Sequence, residues 1–187
     1  LLAVPGRGPG KQDCVAARVQ RVFGDAQVVH RLDEATSGVM LFGRGPDLQR
    51  ALSLAFAQRR VGKRYEAIVH GHPAADAGCV DLPLSADWPR RPRQRVDLEH
   101  GKPSRTDWRV MARDPVRRRA RLSLEPLTGR SHQLRVHLSA LGHPIVGDAL
   151  YGHDADTEPR LLLHACELRL AHPVTGAALA LSSPVPF

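Results

Sequence analysis

One carboxylate stands where reactive groups are usually presented: Asp33, within His30-Arg31-Leu32-Asp33-Glu34-Ala35-Thr36-Ser37-Gly38. Arg31 lies just upstream and Gly38 ends the turn. Apolar residues flank the segment, Val28-Val29 before it and Val39-Met40-Leu41-Phe42 after it. The pattern puts a charged side chain on a loop between two expected strands, where a rigid scaffold exposes its chemistry. An aspartate there can act as nucleophile or base. An Asp ahead of Thr and Ser also serves as a plain turn former or helix cap.

Other segments offer partners. In Thr128-Gly129-Arg130-Ser131-His132-Gln133-Leu134-Arg135, Gly129 permits a tight approach and Thr128 or Ser131 can cap a following helix. Arg130 then faces outward at a helix N-terminus, where a guanidinium can grip a carboxylate or phosphate bidentately, or simply be solvated. Lys63-Arg64-Tyr65 sets one of only two tyrosines after a basic pair. Its ring is either a core side chain with a satisfied hydroxyl or a flat face for a base. A basic run follows: Arg90, Arg91, Arg93, Arg95, Lys102, Arg105, Arg109, Arg113, Arg117, Arg118, Arg119 and Arg121. Broken by prolines, it reads as a solvated or phosphate-contacting surface. The histidines His132, His137, His143, His153, His164 and His172 lack metal-ligand spacing, so no metal is expected. His137 falls on an apolar helix face and reads as a core residue.

Net charge is +8 over 187 residues, with a pI near 10.4. That favours a polyanionic partner, nucleic acid or an acidic membrane surface. Cys14, Cys79 and Cys166 are few and far apart, which fits a reducing cytoplasm rather than a disulfide framework or zinc site. No apolar run approaches the ~20 residues that span a bilayer, and no signal-peptide pattern is present. A first residue of Leu rather than Met suggests a fragment.

The elements that must position these groups follow from periodicity. Residues 1–13 read as a loop and 15–23 as a short helix stopped at Gly24. A strand is expected near 39–43, a helix from Asp47 to about Arg59, and a strand over 63–71 with Tyr65, Ala67 and Val69 on one side. Residues 72–106 look irregular. Strands are expected near 106–112 and 120–126, a helix over about 131–141 ended at Gly142, a strand near 161–165 and a hairpin around 172–176. The sum is a single α+β domain over residues 1–187, with a central mixed, largely antiparallel sheet flanked by helices and loops.

The His30–Gly38 segment resembles the H-R-L-D-x-x-T-S-G motif of the RluA-type pseudouridine synthases. A longer match runs from Gly129-Arg130-Ser131-His132-Gln133-Leu134-Arg135-Val136-His137 through Gly142-His143-Pro144-Ile145-Val146-Gly147-Asp148-Ala149-Leu150-Tyr151-Gly152. Asp87-Trp88-Pro89-Arg90-Arg91-Pro92-Arg93-Gln94-Arg95-Val96, Gly101-Lys102-Pro103 and Leu1-Leu2-Ala3-Val4-Pro5-Gly6-Arg7 resemble the RluA branch in particular, and Arg160-Leu161-Leu162-Leu163-His164-Ala165 resembles the C-terminal motif. The family has a further strand and a Lys-Pro-x-Gly turn ahead of this segment, so the resemblance implies that both are missing here.

The resemblance implies a cofactor-free isomerisation of uridine in a stem-loop of large-subunit rRNA, of a tRNA anticodon arm, or of both, by a cytoplasmic monomer. It implies catalytic roles for Asp33, for Tyr65 stacked on the base and for Arg130 beside the carboxylate. Arg31 would fill the place of the flipped base, and Leu163 would pack beneath it. RNA contacts are expected from His30, Thr36, Arg90, Arg91, Arg93, Lys102, His132 and Arg135 as well. Two rivals remain: a non-catalytic basic RNA-binding protein, and a nucleoside-type glycosidase, which needs a second carboxylate. Glu34 points away from Asp33 on an extended segment.

Overall fold

The computed structural model describes residues 1–153 and 156–187. With strands and helices numbered in chain order, a seven-stranded sheet organises the domain. Along it lie β11 (Ala178–Ser182), β10 (Leu163–Ala171), β4 (Gly62–His70), β9 (Arg119–Pro126), β8 (Arg105–Asp114) and β5 (Ala77–Asp81). All these neighbours pair antiparallel. β2 (Ser37–Gly38) adds to β10 in parallel, which makes the sheet mixed as expected. Two small ribbons sit off it: β1 (Ala26–Val28) with β3 (Phe42–Arg44), and β6 (Leu84–Ala86) with β7 (Gln94–Val96).

Among the described residues three α-helices accompany the strands: α1 (Val15–Val22), which lies against β1, α2 (Gly45–Ala57) and α3 (Gln133–Ala140). Leu134 and Leu138 of α3 pack with Ala67, Val69, Leu122, Leu124 and Leu163 of the central strands. Leu52 of α2 packs with Val61, Leu168 and Leu170, and with the half-buried Val39, Leu41 and Phe56. Each such Leu contributes roughly 1.5–3 kcal/mol by leaving water. The two clusters hold α2 and α3 on either side of the Asp33 loop.

The observed elements amend the expected ones. Residues 72–106 are not irregular: they contain β5, β6 and β7, strands of three to five residues, too short to show an alternation among the prolines between them. Helix α2 begins at Gly45, because Pro46 in its first turn needs no amide partner there. On the opposite face of β4 from Tyr65, Glu66 is buried between Arg64 (2.9 Å) and Arg121 (2.7 Å). The basic run is not one free surface either. Arg95, Arg105, Arg113, Arg117, Arg119 and Arg121 pair with Asp97, Asp107, Asp76, Asp114, Glu158 and Glu66.

One glycine fixes the Asp33 loop to the sheet. Gly38 has φ 122°, and a Cβ on it would overlap the Ala165 carbonyl of β10. Gly38→Ala therefore cannot keep this register. We expect it to cost roughly 2–4 kcal/mol of stability, combining left-handed strain with loss of the β2 pairing, and to lower activity more than tenfold. Urea denaturation together with a turnover assay checks both.

Candidate active site

The loop that carries Asp33 is anchored at several points. The Thr36 amide donates to the Asp33 carbonyl (3.0 Å), and Ser37 and Gly38 lie along β10. The Ser37 hydroxyl meets His164 Nδ1 at 2.9 Å. His30 closes the other side: its Nε2 accepts the Leu41 amide proton (2.8 Å), and its ring stacks on Phe56 of α2 at 4.5 Å between centroids, 19° from parallel. His30 lines the pocket, yet its Nε2 is committed to the protein. Its geometry is that of a strut for the loop.

Burial, reinforced by the charge of Lys63, pushes His30 down to about 4 from 6.5. The unfolded chain therefore takes up this proton before the folded one does. The resulting stability is complete above pH 6.5 and drains away as pH falls toward 4, about 3 kcal/mol in all by linkage. Urea midpoints measured for the wild type and His30→Asn across this interval should converge as pH falls.

The partner of Asp33 is a correction to the sequence expectation. Arg130 is exposed on the pocket rim, where its Nε donates to the Pro103 carbonyl (3.3 Å) and its amide to Gln133 Oε1 (3.0 Å). The guanidinium that reaches Asp33 belongs to Arg135, with Nη1 3.9 Å from Asp33 Oδ2. Arg135, expected among the RNA contacts, is instead buried in the pocket wall and held bidentately by Asp148, Nε to Oδ2 at 2.8 Å and Nη2 to Oδ1 at 2.6 Å. Asp148 Oδ1 also accepts the amides of Leu150 and Tyr151. Burial opposes charge on both groups, but the pair holds the Asp148 carboxyl below its usual range and Arg135 above its own. Asp148 thus takes most of the guanidinium. Asp33 keeps a long, single-pronged contact and remains available to a ligand.

The remaining wall is built by β4, the β9–α3 turn and β10. Tyr65 lies on β4, opposite Ala165 of β10 on one side and opposite Leu124 of β9 on the other. Burial, and then the Asp33 charge, push its phenol well above the ordinary range, so the ring is neutral. Lys63 Nζ donates to the Thr128 carbonyl (2.9 Å); burial and nearby Arg59 bring it down to about 8. Buried Gln133 ties the turn together. It accepts from Thr128 Oγ1 and donates to the Arg105 carbonyl and Thr106 Oγ1. His137 is a satisfied core histidine between Thr106 Oγ1 (2.9 Å) and the Leu82 carbonyl (3.0 Å).

A cavity of about 460 Å³ results, lined by His30, Arg31, Asp33, Thr36, Phe56, Lys63, Tyr65, Arg130, His132, Arg135 and Leu163 among others. Its charged lining is one carboxylate, Asp33, among cations. Arg90, Arg91, Arg93 and Lys102 are not in that lining. Arg90 and Arg91 sit exposed at the tip of the β6–β7 hairpin beside exposed Trp88, whose ring carries Arg91 at 4.4 Å. Arg93 lies over Tyr151 (5.3 Å), and Lys102 exchanges backbone hydrogen bonds with Leu84. Sequence reasoning gave no role to Asp148, Gln133, Lys63 or Tyr151. Asp148 and Tyr151 do lie in the Gly147-Asp148-Ala149-Leu150-Tyr151-Gly152 stretch, which was the available signal. No helix is long and apolar enough to cross a membrane among the described residues.

A polar cavity with a single open carboxylate and a cationic rim defines an enzyme-like site for an anionic substrate. The family model of RNA pseudouridylate synthases matches residues 20–140. The dual-specificity RNA pseudouridine synthase RluA of Escherichia coli K12 is 47% identical over 191 residues, covering 100% of this chain and 86% of its own. The protein of that name from Vibrio vulnificus is 48% identical over 192 residues, covering 100% and 77%. Human RNA pseudouridylate synthase domain containing 1 superposes with a TM-score of 0.81 at 32% identity, over 93% of this chain and 75% of that one. The chain belongs to the RluA-type RNA pseudouridine synthases. It is an isomerase of the pseudouridine synthase class.

Proposed function

We propose that this enzyme isomerises defined uridines in stem-loops of both large-subunit rRNA and tRNA, with Asp33 as the group that acts at the ribose. The reaction breaks N1–C1′, turns the uracil, joins C5 to C1′ and moves the C5 proton to the solvent or N1. Nothing is added or oxidised, so the chemistry calls for no cofactor. Asp33 serves it by attack at C1′ or by removing the C2′ proton toward a glycal. Either role needs an open carboxylate, and the observation that carries the proposal is the 3.9 Å contact to an Arg135 already matched by Asp148.

Base access follows from the same pocket. The target uridine leaves its stack at a cost of a few kcal/mol. Tyr65 stacks on the extruded uracil and Leu163 lies beneath it. Arg31, exposed on the Asp33 loop, fills the vacated place in the helix. Arg130 and the hairpin cations Arg90 and Arg91 contact phosphates, with Lys102 nearby. The name "dual-specificity" borne by the relatives supports two RNA classes. We take the enzyme to act as a monomer on cytoplasmic RNA.

The test is incubation with unmodified transcripts of tRNA anticodon arms and large-subunit rRNA, with carbodiimide mapping of the product. Pseudouridine at one defined position in each class supports the proposal. Modification of one class alone would remove the dual specificity.

A further inference from the structure

Tyr151 does not line the cavity, yet it holds a residue that does. Its Oη accepts the Gln94 amide proton from β7 (2.7 Å) and lies 2.7 Å from Nδ1 of His132. The amide can only donate. The phenol keeps its own proton and has one hydrogen to give, and His132 Nδ1 is the acceptor in reach. The tyrosine ring is gripped by Arg135 (5.1 Å) and Arg93 (5.3 Å), and His132 meets it edge-on at 5.6 Å. His132 itself has φ 54°, a left-handed conformation that a non-glycine residue adopts at a cost of roughly 1 kcal/mol, as strained residues at working sites do. It heads α3 without capping it by its side chain.

We propose that Tyr151 is a positioning residue that fixes His132 as the Nε2–H tautomer, so that His132 presents a permanent hydrogen-bond donor to an oxygen of the bound nucleotide. The same hydroxyl joins this donor to the basic β6–β7 hairpin through Gln94. This rests on the proposed RNA reaction for the identity of the acceptor, but the tautomer itself does not. The charged and titratable groups facing His132 are Asp33 and Arg31 of the loop, Arg135 of α3, and Asp148 and Tyr151 of the following turn, with Arg93 of the hairpin across the tyrosine ring.

Tyr151→Phe keeps the ring and its two guanidinium neighbours and removes only the hydroxyl. His132 is then free to take the Nδ1–H tautomer, which turns Nε2 into an acceptor. Protonation restores the Nε2–H donor. The variant should therefore lose about tenfold in kcat at mildly alkaline pH, the worth of one hydrogen bond, and recover that loss only in acid solution, below the ordinary imidazole range, because burial pushes His132 down. In a His132→Gln background, whose amide donates at any pH, the same substitution should cost about twofold or less. Nitrogen-15 spectra of the imidazole read the tautomer without any RNA. The Nε2–H form in the wild type and a mixture in Tyr151→Phe are expected. An Nδ1–H wild type, or a pH-independent loss confined to KM, would overturn the proposal. Failure of the wild type to make pseudouridine would overturn the RNA reaction while leaving the tautomer to be read separately.

Discussion

Asp33→Asn should lose pseudouridine formation by on the order of 10⁴-fold, the scale on which enzymes lose a group that acts on the reacting atoms. It should still bind RNA as the wild type does. The substitution is nearly isosteric, and the backbone turn that holds the side chain, Thr36 amide to Asp33 carbonyl, does not involve the carboxylate. Arg135 stays matched by Asp148, so no buried charge is orphaned. In the proposed reading binding rests on Arg31 and the rim cations, which the change leaves alone. Filter binding alongside single-turnover assays separates the two effects. Weakened binding with proportionate turnover would mean that Asp33 only shapes the pocket.

Arg135→Met should be the second most damaging change, and it should act on stability as well as rate. Removing one member of a buried pair costs about 3–5 kcal/mol, because Asp148 is left charged and unmatched. Asp33 loses its guanidinium contact at the same time. Arg135→Lys should spare part of the stability and little of the rate, since a point charge cannot hold Asp148 through two bonds and also reach Asp33. Arg130→Lys should leave stability unchanged, because that side chain is exposed and holds one carbonyl. Thermal midpoints and single-turnover rates for the three variants rank them. Equal damage from the Arg130 and Arg135 changes would contradict the assignment.

Much of this site was legible in the sequence because it rests on local pattern. The Asp33 loop announced itself by a charged turn between apolar runs. Tyr65 followed from the alternation of β4, and α3 from the spacing of Leu134 and Leu138 up to Gly142. The assignment of the arginine failed for a physical reason. Arg130 sits in the turn beside Gly129, where sequence proximity to a helix start suggests an anion grip. Arg135 lies on the same helix face as Leu138, three residues on, and so points inward. Its reward for burial is Asp148, 13 positions away in sequence, a match that periodicity does not reveal. The pairing within the basic run was hidden for a similar reason. Its cations find acids on other strands and loops, such as Asp76, Glu66 and Glu158. Strands β5 to β7 escaped notice because pairing with β8, or with each other, holds them rather than any alternation of their own.

The most direct measurement is nucleoside analysis of one RNA stem-loop after a single turnover with the wild type and with Asp33→Asn. The product should have the mass of uridine, form the stable carbodiimide adduct of pseudouridine, and be absent with the variant although the RNA is bound. Pseudouridine made by Asp33→Asn at the wild-type rate would contradict the central claim that this carboxylate carries the reaction.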